Sequence, residues 1–414
     1  VSPGAAFTSY SMPDGGSLIF YSPAAAAVPE KALVHGPYTR RHNTHDQLWT
    51  PIVPGDEAVI EVKVPAQHLK DLELELTEVY HGYRAFGVAG TPDRGGDKSG
   101  SCNVDVTCPE GDPWDSQIRS VGVYSAGGTR ICTGFLVNNT SDDLRSLFMT
   151  ADHCGVGTQR PPASLVVYWN YQHPTCRPPG SVESGTPYFG NLDQSQTGST
   201  LVGRAASSDY TLLELDQMPD MAYNVHWAGW DARSIEAAMS LTVHHPRAQA
   251  KRISFEDQPT TTTSYLQDDV PGNGTHLRVE DWDLGTTEPG SSGSPLFNQD
   301  GRVIGQLHGG AAACGNDDPD WYGRFSRSWE LGLQEHLDPG GTGAMVLDGR
   351  DQIQPGPCMP DDTTMCLVNR RFQVTVTWRD FAGNEGSAHV VPFGSDDSGL
   401  FWFFDPDNWE MLVK

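Results

Sequence analysis

Residues 286–297, TTEPGSSGSPLF, set two serines between glycines, follow them with a third serine and a proline, and then turn hydrophobic. A serine hydroxyl is a poor nucleophile until a base takes its proton and a third group orients that base. The chemistry this stretch could do therefore needs a histidine and an acid elsewhere in the chain. FMTADHCG, residues 148–155, offers the first: an apolar run ends in Thr-Ala and delivers His153 beside Cys154. ASSDYTLLELD, residues 206–216, offers the second, with Asp209 at the mouth of an apolar strand that would hold a carboxylate in a partly buried place. Among the three serines, Ser292 alone is followed by a glycine, Gly293, and preceded two residues back by another, Gly290. That spacing lets backbone N–H groups converge on an oxyanion. The N–H groups of Gly290 and Ser292 are expected to form that hole, each donor contributing roughly 3–4 kcal/mol of transition-state stabilisation. GSSGS alone reads as a flexible turn; combined with His153 and Asp209 it reads as a nucleophile.

The elements that must hold these residues are strands. A chain of 414 residues suggests two or three domains, and its 45 glycines and 30 prolines argue for many turns between short strands. Residues 1–86 alternate in SLIF, AVIEVKV and LELELTEVY, broken by Pro13-Asp14-Gly15-Gly16 and Pro54-Gly55, and predict a small β-sandwich without cysteine. TPDRGGDKSGS, residues 91–101, reads as an exposed linker. Residues 99–351 form the largest unit, with six of the eight cysteines and strands such as SLVVYWNY, TLLELD and RVIGQLHG. After a second linker, IQPGP at 353–357, residues 358–414 alternate in FQVTVTW and read as a small, incomplete C-terminal β-module.

The net charge of −26 repels phosphate backbones and anionic lipid and so excludes nucleic-acid and membrane-surface partners. No run of 18 apolar residues exists to span a bilayer. The chain begins at Val1 rather than Met, so a secretion signal is expected to have been removed or left out. The cysteines, at 102, 108, 132, 154, 176, 314, 358 and 366, contain no CxxC pair and no zinc spacing. They are expected to form disulfides in a secreted, extracellular protein. His244 and His245 could suggest a metal, but adjacent strand side chains point to opposite faces; they are read as structural, and no metal or cofactor is expected.

The chain order His153, Asp209, Ser292 matches the chymotrypsin-like proteases and not the subtilisins or the α/β-hydrolases, whose elbow needs Gly-x-Ser-x-Gly. TGFLVNNT, TADHCG, SLVVYWNYQHPTC, SDYTLLEL, WAGWD, HHP, KRIS, THL, TEPGSSGSP and GQLHGG, in this order, resemble the bacterial lysyl endopeptidases of that superfamily over residues 99–351. FTSYSMPDGGSLIFY, QLWTPIVPGDEAVIEV and YHGYRAFG resemble their pro-region, so residues 1–98 are expected to be a pro-domain and linker. The resemblance implies a chymotrypsin-like double β-barrel with Ser292 as nucleophile, His153 as general base then acid, and Asp209 fixing the imidazole. It also implies the pairs Cys102–Cys314, Cys108–Cys176 and Cys132–Cys154, with Cys358 and Cys366 left to close a local loop in the C-terminal module.

Lysine specificity needs a counter-charge, and Asp320, two residues before Tyr322-Gly323-Arg324, matches the family position; His308 in QLHGG matches another near the pocket. One departure stands out. The family places a Trp shortly before THL, where this chain has Tyr265 and Leu266, so a preference for Arg or for both Lys and Arg is an alternative, as is a non-catalytic binding protein on a protease scaffold. Between Ser99 and Asp351 the chain has fourteen Arg and one Lys, Lys251, which suits either a lysine-cutting protease avoiding itself or a GC-rich genome. The expected partners are lysine-containing proteins or peptides and the protein's own pro-domain, released by self-cleavage between Lys98 and Ser99.

Overall fold

In the computed structural model, residues 2–23, 33–81, 99–188, 190, 192–352, 361–367, 372–380, 382–393, 395–403 and 411–413 are described. Lys98 and Cys358 lie outside these residues. The N-terminal alternation becomes six strands: β1 (Pro3–Ser11), β2 (Ser17–Tyr21), β3 (Val34–Tyr38), β4 (Leu48–Trp49), β5 (Val59–Lys63) and β6 (Glu73–His81). They form two three-stranded sheets, ordered β4-β1-β6 and β3-β2-β5, around Phe7, Tyr10, Leu18, Phe20, Tyr38 and Val53. Every second residue of β2 is buried, which is the period a half-buried strand requires.

The next segment opens with β7 (Val104–Asp105) and a short helix, α1 (Asp115–Ser120). Seven strands then build one antiparallel sheet: β8 (Val121–Ala126), β9 (Arg130–Leu136), β10 (Leu147–Ala151), β11 (Val166–Trp169), β12 (Ser195–Thr197), β13 (Ser199–Ala205) and β14 (Tyr210–Leu215). Their order is β12-β11-β8-β9-β10-β14-β13. β15 (His226–Trp227) and β16 (Trp230–Asp231) cross to a second sheet. It contains β17 (Ser240–His244), β18 (Arg252–Glu256), β19 (Thr261–Thr263), β20 (His276–Val279), β21 (Pro295–Asn298), β22 (Val303–Gly310) and β23 (Asp320–Arg324). The order here is β19-β20-β23-β22-β21-β17-β18-β7. These two sheets are the halves of the expected chymotrypsin-like double barrel.

One hydrophobic core joins them: Phe135, Met149, Tyr210 and Leu212 from the first sheet meet Leu241, Val243, Phe297 and Val303 from the second, closed by Trp230 and Trp329. Burying each such side chain contributes roughly 1.5–3 kcal/mol. All of β8 is buried, on both faces. The reason lies in its neighbours: Tyr124 faces the interior of the first sheet with Phe148 and Trp169, while Val123 joins Ala6, Trp49, Ile52 and Tyr80 of the N-terminal sandwich. Hydrogen bonds reinforce that seam. The Ile52 N–H donates to Tyr168 Oη at 3.0 Å, and Thr197 Oγ1 donates to the Trp49 carbonyl at 2.6 Å. Residues 1–350 accordingly pack as one compact unit.

Disulfides join Cys102 to Cys314, Cys108 to Cys176 and Cys132 to Cys154. The fourth expected pair involves Cys358, outside the described residues. Residues 351–414 form a second unit of short antiparallel strands, including Thr364–Leu367 with Phe372–Thr375, around Met365, Ala388 and Phe401.

Candidate active site

His153 sits in a single 3-10 turn, Asp152–Cys154, immediately after β10. The Cys132–Cys154 disulfide ties that turn back to β9, and Asp152 anchors it through Arg204, at 2.6 and 2.8 Å. Asp209 precedes β14, the strand that pairs with β10 through Ala151 and Tyr210. Its backbone adopts a positive φ of 56°, a conformation Asp tolerates better than most residues. The Asp152 N–H donates to the Asp209 carbonyl at 2.8 Å and the His153 N–H to Asp209 Oδ1 at 2.9 Å. Asp209 thus grips the turn through both its carbonyl and its side chain.

The second Asp209 oxygen, Oδ2, accepts from His153 Nδ1 at 2.8 Å, and His153 Nε2 lies 2.9 Å from Ser292 Oγ. With Nδ1 donating, Nε2 carries the lone pair that faces the serine hydroxyl. Asp209 is 2% exposed, so its interaction with the imidazole is little screened by water.

The neighbouring serines are engaged elsewhere. Ser291 Oγ bonds His244 Nδ1 at 2.7 Å and accepts from the Glu288 N–H at 3.2 Å, and Ser294 Oγ lies 3.1 Å from Thr242 Oγ1, which donates to the Pro295 carbonyl at 2.8 Å. Thr133 on β9 turns the serine loop: its N–H donates to the Ser292 carbonyl and its Oγ1 to the Gly290 carbonyl, both at 2.9 Å. With those carbonyls held on one side, the Gly290 and Ser292 N–H groups have no acceptor among the described residues, as a hole awaiting an oxyanion requires. Gly293 must be glycine here. Its φ is 84°, and a Cβ would run into Thr150 Oγ1 and the Thr133 carbonyl.

Asp320 begins β23 opposite Gly310 and is 1% exposed. Its Oδ2 accepts from Trp282 Nε1 at 2.9 Å and Thr287 Oγ1 at 2.7 Å. Burial raises its pKa, and these two bonds oppose the shift. Asp317 and Asp318, in the adjoining loop, are exposed. His308, near the end of β22, lies 3.6 Å from Asp209 Oδ2. Its ring stacks on Tyr265, with centroids 3.6 Å apart and planes 3° apart. Tyr265 therefore occupies the aromatic position left open by the sequence, whereas Leu266 is 53% exposed.

His153, Asp209 and His308 bring one ligand atom each within 4.8 Å of one another. The His153 and His308 rings, however, are nearly parallel at 14° with centroids 5.2 Å apart. Imidazole binds a metal in its ring plane, so these lone pairs do not converge on one point, and the group is better suited to hydrogen bonding. His244 and His245 are fully buried, and burial pulls the His244 pKa to about 3. The sequence reading missed His244 as a support of Ser291, Thr133 as the brace of the serine loop, Trp282 as a donor to Asp320, and His276, whose Nε2 lies 2.9 Å from His308 Nδ1. His276, Thr133 and His244 carried a signal, in the THL, TGFLVNNT and HHP motifs, whereas Trp282 carried none.

A hydroxyl, imidazole and carboxylate in this order, beside two N–H groups without an acceptor among the described residues, are equipped for acyl transfer. The model of the family described as "Lysyl endopeptidase, C-terminal domain" matches residues 96–323, more than half of the chain. The chain belongs to the lysyl endopeptidase family. The lysyl endopeptidase of Pseudomonas aeruginosa is 31% identical over 299 residues, which make up 67% of this chain. This chain spans 61% of that lysyl endopeptidase's own length. Among solved structures, the thermostable serine protease AL20 from an extremophilic microorganism aligns at a TM-score of 0.38 and 14% identity, covering 55% of this chain and all of that one. The Rv3671c protease of M. tuberculosis, active form, aligns at 0.34 and 16%, covering 57% and 87%. Family membership rests on the sequence match.

Proposed function

We propose that the protein is a serine endopeptidase that hydrolyses peptide bonds on the carboxyl side of lysine through an acyl-enzyme, and that it is secreted as a proenzyme. The observation that carries this reading is the continuous chain from Ser292 Oγ through His153 to the buried Asp209. Ser292 Oγ attacks the scissile carbonyl while its proton passes to His153 Nε2. The oxyanion is met by the N–H groups of Gly290 and Ser292. The C–N bond then breaks as His153 returns the proton to the leaving amine, and water, activated in the same way, hydrolyses the acyl-enzyme and regenerates the serine.

Asp320 supports lysine as the substrate residue, because an anion held at 1% exposure gains most from a cation brought to it. The charge alone would also accept arginine, so the preference between the two rests on pocket depth. Lys251, the one lysine between Ser99 and Asp351, is fully buried and donates to the Ile118 carbonyl at 2.8 Å, out of reach of a neighbouring enzyme. Residues 1–98 are read as the pro-domain and 99–351 as the protease domain, with cleavage between Lys98 and Ser99. Ser99 is only 5% exposed and the Gly100 N–H donates to Glu288 Oε2 at 2.8 Å, so the exposed character expected of the linker does not extend to Ser99. This start of the domain must lift out to be cut.

A lysyl ester assay tests the reading. The protein should release a burst of alcohol stoichiometric with enzyme, and Ser292→Ala should release none while keeping its melting temperature. Fragments of a protein of known sequence, sized by mass spectrometry, should end in lysine, and the matured enzyme should begin at Ser99. Turnover by Ser292→Ala, or fragments ending without preference, would refute it.

A further inference from the structure

Behind His308 lies a run of hydrogen bonds whose direction can be deduced from donor counting. The Thr275 N–H donates to Asn273 Oδ1 at 3.1 Å, which fixes that atom as the amide oxygen. Thr275 Oγ1 lies 2.6 Å from the same oxygen, so its single proton must point there. Thr275 Oγ1 is left with lone pairs alone, and His276 Nδ1, 2.8 Å away, must donate to it. His276 is 2% exposed and burial pulls its pKa down to about 4, so near neutral pH it holds one proton. With that proton on Nδ1, Nε2 is bare and accepts from His308 Nδ1 at 2.9 Å. His308 is itself held neutral by burial, its pKa also lowered to about 4. Its Nε2 is therefore bare, and its Nδ1–H edge lies 3.6 Å from Asp209 Oδ2.

We propose that His276 is a positioning residue: acting as the acceptor at the end of the Asn273–Thr275–His276 run, it fixes His308 as the Nδ1–H tautomer and so presents an N–H dipole, rather than a lone pair, to the carboxylate of Asp209. The proposal rests on the reading of His153, Asp209 and Ser292 as the reacting group. The opposite tautomer of His308 would set its lone pair against two others, that of His276 Nε2 and that of the Asp209 carboxylate. The ring has little room to escape, since Tyr265 stacks on it and His153 lies parallel to it. The consequence is an N–H dipole beside Asp209 Oδ2 that favours its in-line bond to His153 while the imidazolium forms. Neither His276 nor Thr275 needs to touch substrate.

The tautomer is directly measurable without turnover. In Ser292→Ala protein labelled with ¹⁵N-histidine, near neutral pH, both His276 and His308 should show a proton on Nδ1 and none on Nε2. A proton on His308 Nε2 would overturn the proposal whatever the enzyme's activity, which separates its failure from failure of the protease reading. Thr275→Val, which removes the acceptor for His276 with little change of shape, should release the pair into two exchanging tautomers; an unchanged spectrum would also overturn it. In turnover of a lysyl ester, His276→Leu should lower kcat at least about tenfold, equivalent to about 1.4 kcal/mol, and move KM by less than about twofold. His276→Gln, whose side-chain carbonyl can take the place of Nε2, should restore most of the rate. Equal losses in the two variants would assign His276 to packing alone.

Discussion

Replacing Asp320 by Asn removes a charge and also reverses a dipole. Oδ2 of Asp320 accepts from Trp282 Nε1 and Thr287 Oγ1, and the indole N–H, a donor only, has no use for an amide NH₂. The Asn side chain must therefore turn its oxygen to them, which leaves its NH₂ group facing an incoming lysine ammonium, donor against cation. Loss of one partner of a buried charge pair costs about 2–5 kcal/mol, and at about 1.4 kcal/mol per decade this is roughly a 30- to 5,000-fold fall in kcat/KM for lysyl substrates. A norleucyl substrate, of nearly the same length without the charge, provides the reference. Its kcat/KM should change little, so the lysyl-to-norleucyl ratio should collapse while the burst amplitude on the residual substrate survives. Stability moves the other way. Burial raises the Asp320 pKa above its unfolded value, so at neutral pH the ionised group weighs against the fold, and Asp320→Asn should melt no lower than the parent. An unchanged lysyl-to-norleucyl ratio in a folded variant would refute Asp320 as the counter-charge.

Two further outcomes follow from the same geometry. Gly293→Ala should lower kcat roughly 100-fold, the scale of a displacement of about 1 Å at the reacting atoms, because the new methyl meets Thr150 and Thr133 at a positive φ; a single-turnover assay giving the parent rate would contradict the close approach. Acid should loosen the seam between the N-terminal sandwich and the first sheet. Buried His35, whose Nε2 bonds the Ile52 carbonyl at 3.1 Å, has its pKa pulled down to about 4 by burial, so the unfolded chain takes its proton first, near pH 6.5. Stability is then complete above about pH 6.5 and falls toward pH 4, by up to about 3 kcal/mol for this one group. Calorimetry should show His35→Gln losing less stability than the parent over that window, and parallel curves for the two would dismiss the idea.

The parts of this protein that were legible in the sequence are those in which one residue type does one job in a local context. His153 follows an apolar strand, Asp209 precedes one, and Ser292 stands between required glycines, so each could be found from its immediate neighbours. The β-sandwich was legible for a similar reason, since the alternation in β2 is a local signal.

What escaped is held together at long range. Thr133 lies 157 residues from Gly290, whose carbonyl it holds, Trp282 lies 38 from Asp320, and His244 lies 47 from Ser291. Thr133 and His244 stand in TGFLVNNT and HHP, stretches that mark the family without showing what either residue bonds, and a tryptophan inside EDWD is as common in a core as beside a site. They become recognisable only when β9 and β17 are paired in their sheets and the loop after β20 is folded against β23, because each works through a hydrogen bond to a distant segment. The division also explains why Ser292, His153 and Asp209 would not by themselves define the proposed activity. The Gly290 and Ser292 N–H groups, without an acceptor among the described residues, lie in a loop whose carbonyls Thr133 holds on the other side, and burial raises the Asp320 pKa against bonds from Thr287, Trp282 and the Ala312 backbone that oppose the shift. A chain with the same serine, histidine and aspartates on a sheet shifted by one residue would present every side chain to the opposite face. It would keep the motif and lose the site.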